Sequence, residues 1–199
     1  MVTRMKASAD SGSSKRQHIV DTAYALFKQA GFHATGIDRI IAEADVAKMT
    51  MYRNFPSKDG LIVEVLNHRA QRFDLQLDRL TQGTPTPERK IRAIFDWYGR
   101  WFQRPDFHGC LFAHALAEFG DPMHPVFAAV AAQKKSLQRR LQEILAAIMP
   151  RSRAESSAAA LLMLIEGATL VAQMGQGDRA IRHAWSAAQQ IMESASRTE

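Results

Sequence analysis

Apolar residues recur along this chain at intervals of three and four, and nowhere alternate at period two between hairpin turns. That pattern predicts helices and no strands. The first apolar face is Ile19, Ala23, Leu26, Phe27 and Ala30, followed by Gly31 where a left-handed C-terminal cap is wanted. The capping-box pattern Ser14-Lys15-Arg16-Gln17 predicts the start of that helix and leaves residues 1–12, which lack periodicity, as a disordered arm. Thr35-x-x-Asp38 predicts a second start, before Ile37, Ile40, Ile41 and Ala44. After a very short break at Asp45-Val46 comes a short third helix over Ala47–Asn54, which Pro56 stops because proline excludes the helical conformation from the residue before it. Ser57 is placed to cap a long fourth helix with Asp59 in its first turn and Leu61, Val65, Leu66, Phe73, Leu77 and Leu80 on its apolar face. Beyond the Gly83–Pro87 loop, four or five more amphipathic helices are predicted near 87–103, 109–120, 124–149, 152–175 and 178–196. The fold class is all-α.

Composition narrows the classes. With 46% hydrophobic and 23% charged residues in 199, the chain is globular and can bury a substantial core. A single cysteine, Cys110, rules out an internal disulfide framework and fits a reducing cytoplasm. The first eighteen residues hold no apolar run of signal-peptide type. The longest apolar stretch, Ala158 to Met174, is interrupted by Glu166, Gly167 and Gln173 and is short for a membrane span. The protein is therefore expected to be soluble and cytoplasmic, with no membrane partner. A net charge of +6 is modest, but Val46 to Lys58 carries Lys48, Arg53 and Lys58 and no acid, a patch suited to a polyanion. No nucleophile elbow, phosphate loop, HExxH or paired-cysteine motif is present, so no catalytic residues, cofactor or resident metal are expected.

The 14–60 region therefore has the shape of a helix-turn-helix: two short helices joined by a tight turn and braced by a longer one, the second short helix entering the major groove. Val46, Met51 and Phe55 are its expected inward positions. Lys48 and Lys58 can neutralise phosphates, the Tyr52 hydroxyl can donate to one, and Thr50, Arg53 and Asn54 can read base edges. The stretch Gly31–Thr35, then Ile40–Ala44, then Val46–Leu61 with its Tyr52-x-x-Phe55-x-x-Lys58 core resembles the DNA-binding domain of the tetracycline-repressor (TetR) family. That resemblance implies about nine helices. A helix-turn-helix domain at 13–60 would precede a ligand-sensing and dimerisation domain at 61–199, whose last two helices form a four-helix interface with a partner copy. It implies a ligand-responsive repressor that binds a palindromic double-stranded DNA operator as a homodimer and is released by a small-molecule effector. By the same resemblance Thr35, Lys48, Tyr52 and Lys58 take phosphate contacts, with Thr50, Arg53 and Asn54 nearest the bases. Ala47 stands where serine is frequent and Met49 where glycine is, both inside the DNA-contacting stretch; Asp45 stands in place of a turn glycine, and aspartate tolerates a left-handed backbone.

The helices after residue 87 are rich in aromatic and polar groups. Trp97, Trp101, Phe102, Cys110, Phe112, His114, Glu118 and Phe119 are the candidate lining of an effector pocket, and solid core packing is the alternative for each. His108, Cys110, His114 and Glu118 also hold ligand types for a metal- or redox-responsive regulator, although Cys110 and Glu118 lie two helical turns apart, about 12 Å, too far to share one ion. The helix carrying Leu161, Leu164, Ile165 and Ala168 is apolar nearly all round. With Trp185 and Ile191 it is the candidate dimer interface, the alternative being the central helix of a monomer. Glu166 within it needs a partner, since a buried unpaired carboxylate is costly. Effector binding is expected to reach the DNA through the 57–80 helix.

Overall fold

The structure is a computed structural model that describes residues 3–196, all helical apart from turns. In chain order the helices are α1 (Thr3–Ala30), α2 (Ile37–Glu43), α3 (Lys48–Asn54), α4 (Lys58–Thr81), α5 (Pro87–Phe102), α6 (Leu111–Glu118), α7 (Pro125–Leu145), α8 (Arg151–Val171) and α9 (Gly177–Ser196). A wide five-residue turn, Ala172–Gln176, joins α8 to α9, with Gly175 at φ +79°.

Several of the expected stops and starts are present. Gly31 takes φ +82° and its N–H closes on the Phe27 carbonyl at 2.9 Å. Ser57 Oγ accepts from the Gly60 N–H at 3.0 Å, and Thr86 Oγ1 caps α5 one residue before Pro87. Two start signals act differently. The helix that Ser14 was expected to cap runs from Thr3, so the backbone of the expected arm is helical from there on; no proline interrupts it, and Gly12 is its one glycine. Thr35 does not cap α2; Gly36 occupies the cap position with no side-chain hydrogen bond.

Residues form two compact units. The first comprises the described residues up to Ala70 together with Leu111–Val130; the second comprises Gln71–Cys110 and the described residues from Ala131 on. This division departs from the expected boundary after residue 60: the first half of α4 and the whole of α6 belong with the N-terminal helices. Apolar periodicity shows which residues are buried but not what they are buried against.

In the first unit Ile19, Ala23 and Phe27 of α1, Ile40, Met51 and Leu61, Ile62 and Val65 of α4 are fully or almost fully buried, as is Phe32 in the turn after α1. Phe27 and Phe32 pack with ring centroids 4.9 Å apart, and Phe119 meets Phe32 edge-on at 6.0 Å. Arg16 donates to Glu64, bracing α1 against α4. That bond holds the Glu64 carboxyl below its ordinary pKa against the opposing effect of burial.

In the second unit α5, α7, α8 and α9 contribute to one core that includes Ile91, Ile94, Phe95, Leu137, Leu141, Leu161, Ile165 and Ala188. Phe95 meets Trp185 edge-on, and the Arg92 guanidinium lies over that indole at 4.8 Å. Gly109 combines φ +86° with a site where a Cβ would stand 2.0 Å from Gln173 Nε2, the group that donates to the His108 carbonyl. Gly109→Ala is therefore expected to destabilise by about 1–2 kcal/mol, from left-handed strain and displacement of that side chain. Thermal denaturation measures it, and an unchanged melting temperature contradicts the assignment.

Candidate functional site

The helix-turn-helix is built by its turn. Val46 N–H reaches back to the Ile41 carbonyl at 3.3 Å and Asp45 N–H to Ala42 at 3.2 Å, which ends α2, while Asp45 takes φ +47°. The aspartate thus occupies the left-handed position where glycine is the usual residue. The Met51 side chain is fully buried and Phe55 almost so, with the Arg16 guanidinium over the Phe55 ring at 4.7 Å. These two anchors orient α3, so that Ala47, Lys48, Met49, Tyr52 and Arg53 lie exposed and Thr50, Asn54 and Lys58 half-buried. Met49 is 81% exposed, an unusual placement for a long apolar side chain. Lys48 Nζ lies 3.4 Å from Asp38 of α2, Asn54 donates to the Thr50 carbonyl at 2.8 Å, and Lys58 Nζ donates to the His33 carbonyl at 3.4 Å.

Thr35 needs correction as an expected phosphate contact. Its side chain is fully buried and its hydroxyl donates to the Gly31 carbonyl at 2.7 Å, so it closes the turn between α1 and α2. A side chain without accessible surface cannot meet a phosphate.

Geometry and sequence agree on a family. Residues 19–65 match the family described as "Bacterial regulatory proteins, tetR family", and residues 87–188, more than half of the chain, match "Tetracyclin repressor-like, C-terminal domain". The chain belongs to the tetR family. A solved TetR-family transcriptional regulator from Streptomyces coelicolor superposes with a TM-score of 0.86 at 29% identity, over 93% of this chain and 97% of that one. Among curated relatives, the HTH-type transcriptional repressor KstR of Mycolicibacterium smegmatis is 28% identical over 52% of this chain and 51% of its own length. The HTH-type transcriptional regulator YjdC of Escherichia coli is 24% identical over 66% of this chain and 69% of its own. The chain spans about half the length of KstR. The all-α fold with an N-terminal helix-turn-helix and a C-terminal helical domain thus stands as the sequence suggested.

The eight candidate pocket residues of this TetR-family chain divide between the two units. Trp97, Trp101 and Phe102 belong to the second, in a ring cluster with Phe73, Tyr98 and Phe107 in which neighbouring centroids lie 4.9–6.2 Å apart. Cys110 lies there too, half-buried, with Lys134 Nζ 3.5 Å from its sulfur. Lys134 also donates to Glu166 Oε1 at 2.7 Å, which supplies the partner that Glu166 needs. Burial alone would lower the Lys134 pKa, but Cys110 and Glu166 beside it outweigh burial and hold it above the ordinary lysine value. Tyr98 is pushed well above the ordinary phenol range, first by burial and then by Cys110 and Glu166. Nearby in sequence, Gln133 is buried with no partner for its Oε1. Phe112, His114, Glu118 and Phe119 instead belong to the first unit. There Glu118 accepts from the Phe32 and His33 N–H groups at 2.9 and 2.5 Å. The expected His108/Cys110/His114/Glu118 face is therefore not one cluster: Cys110 meets Lys134, Glu118 meets the α1–α2 turn, and no group of three metal-ligating side chains occurs among the described residues.

The candidate dimer residues also need sorting. Leu161 and Ile165 are fully buried within the single chain, Ala168 is nearly so, and Trp185 packs on Phe95. Leu164 and Ile191 are half-buried. The outward apolar side chains of α8 are different ones, Met163 at 67% exposure and Leu170 at 63% with Gly167 between them, and Met174 is exposed in the turn that follows. A groove of about 500 Å³ runs beside them, lined by Met163, Leu164, Gly167, Val171, Arg179 and His183. The helical run Arg151–Ser194 is long and apolar enough to cross a membrane by length and composition, and only 33% of its most apolar window is buried. The 163, 167, 170, 174 spacing was visible in the sequence as a second apolar stripe.

Proposed function

We propose that this chain is a transcriptional regulator that binds a palindromic operator as a homodimer through α3 and is released by a small-molecule effector held in its C-terminal helices. The observation that carries the reading is the outer face of α3. Lys48, Tyr52 and Arg53 stand exposed on a helix whose inner side is fixed by Met51 and Phe55, in a chain of the tetR family. Exposed cations and a hydroxyl serve phosphates, while the arginine and the half-buried Thr50 and Asn54 serve base edges. Met49 adds an exposed methyl thioether for contact with a thymine methyl.

Two further observations support the rest of the reading. The exposed Met163–Leu170–Met174 stripe with Gly167 between is self-complementary in chemistry, apolar with a small residue for close approach, as a twofold helix interface requires. A second copy there accounts for the apolar run without a bilayer, in keeping with a cytoplasmic protein. In the second unit the unspent acceptor of Gln133 fits an effector that brings its own N–H or O–H, because a buried amide oxygen is left unsatisfied only at a cost.

Selection of binders from a pool of random duplexes tests the proposal. The expected product is an inverted repeat whose half-sites lie one helical turn apart, about 10 base pairs, or a multiple of it. Enrichment of no sequence, or of single unpaired half-sites, contradicts it.

A further inference from the structure

We infer that Glu118, at the C-terminal end of α6, is a positioning residue for DNA binding: it sets the turn that holds the Lys58 ammonium, from a segment outside the helix-turn-helix. The inference rests on the DNA-binding reading above.

Glu118 grips the turn between α1 and α2 at three points. Its Oε1 accepts from Phe32 N–H at 2.9 Å, and its Oε2 accepts from His33 N–H at 2.5 Å and lies 2.9 Å from His33 Nδ1. Two successive backbone N–H groups converging on one carboxylate make a strong, directional anchor. Gly31 admits the approach: a Cβ there would lie 2.9 Å from Oε1, and its φ of +82° disfavours any other residue. The same turn also holds Lys58, whose Nζ donates to the His33 carbonyl at 3.4 Å. Lys58 is thus tethered to the carbonyl of the residue whose own N–H Glu118 holds, one peptide further along the turn.

A second arm reaches the neighbouring residue. His33 stacks on Phe119 at 4.7 Å, and Phe119 stacks on His124 at 4.9 Å. His124 Nδ1 accepts from Val126 N–H at 3.3 Å, and its Nε2 lies 3.4 Å from Asp59 Oδ2. From Glu118 to His124, one short segment therefore contacts both His33, whose carbonyl Lys58 meets, and Asp59, the next residue along α4. An apolar contact would serve packing alone and would tolerate sliding; a carboxylate on two N–H groups tolerates little, so displacement of α6 must move or release the turn. α6 begins at Leu111, immediately after Cys110 closes the first segment of the other unit.

The test is a double-mutant cycle on the full-length protein, with Glu118→Ala, Lys58→Ala and the pair. Affinity for one fixed duplex of about 25 base pairs, the best of the selected pool, is read from 50 to 200 mM salt. Glu118→Ala is expected to weaken binding by about tenfold and to flatten the salt slope by about one per protomer, because one phosphate contact is lost. Lys58→Ala should flatten it equally, and the pair should be no worse than Lys58→Ala. An unchanged slope for Glu118→Ala, or multiplicative losses in the pair, overturns the inference and leaves the DNA-binding reading intact. Should Glu118→Ala fail to fold, Glu118→Gln, which keeps an acceptor but loses the charge, replaces it in the same cycle, with a smaller loss of the same kind expected. Wild-type protein without salt-dependent duplex binding would overturn both readings at once.

Discussion

If the proposed homodimer forms through the Met163–Leu170 stripe, replacing Leu170 with glutamate is expected to give folded monomers that bind the operator at least a hundredfold more weakly. Leu170 points away from its own protomer's core, so the change creates no buried charge in the isolated chain, and helicity and melting should be close to wild type. At a twofold interface the same substitution brings two carboxylates together on the apolar stripe, where neither can be solvated or paired. Separation removes the advantage of linked binding, in which docking of one helix-turn-helix raises the effective concentration of the other to millimolar. Sedimentation and gel-shift titration measure the two effects. A stable dimer would place the interface elsewhere. By contrast Leu161→Glu, buried in the protomer itself, is expected to abolish folding.

The second large effect concerns the half-buried polar cluster of the same unit, Lys134 with Glu166. Lys134→Met leaves Glu166 facing an apolar surround without its cation. The side chains are 22% and 31% exposed, which places the pair between the surface and fully buried limits. The expected loss is about 2 kcal/mol, or 4–8 °C in melting temperature. Lys134→Met combined with Glu166→Leu should recover most of it, because no charge then remains to be desolvated. A single variant as stable as wild type would mean that water already screens the pair.

What the sequence made legible was local. Gly31, Ser57, Pro56 and Pro87 act within one helical turn of their own position, and each stops or starts a helix as its chemistry predicts. Asp45 in the left-handed position belongs to the same class. The remaining features depend on partners far along the chain. Glu118 read as one of a line of polar side chains on a helix face, while its partners Phe32 and His33 lie 86 and 85 residues away. Thr35 carried the chemistry of a phosphate contact, yet the fold spends its hydroxyl on Gly31. On α8 two apolar stripes compete; the one through Leu161 and Ile165 faces the protomer core and the one through Met163 and Leu170 faces out. Periodicity identifies both stripes and cannot rank them, because the choice depends on where α5 and α9 lie.

The recognition surface is the claim on which the account depends, and the salt dependence of duplex affinity is its most direct test. Wild-type protein is expected to lose affinity steeply between 50 and 200 mM salt, with a slope that flattens by about one per protomer in Lys48→Ala. Affinity that stays flat with salt, or a slope indifferent to Lys48, would mean that the outer face of α3 does not lie against a phosphate backbone.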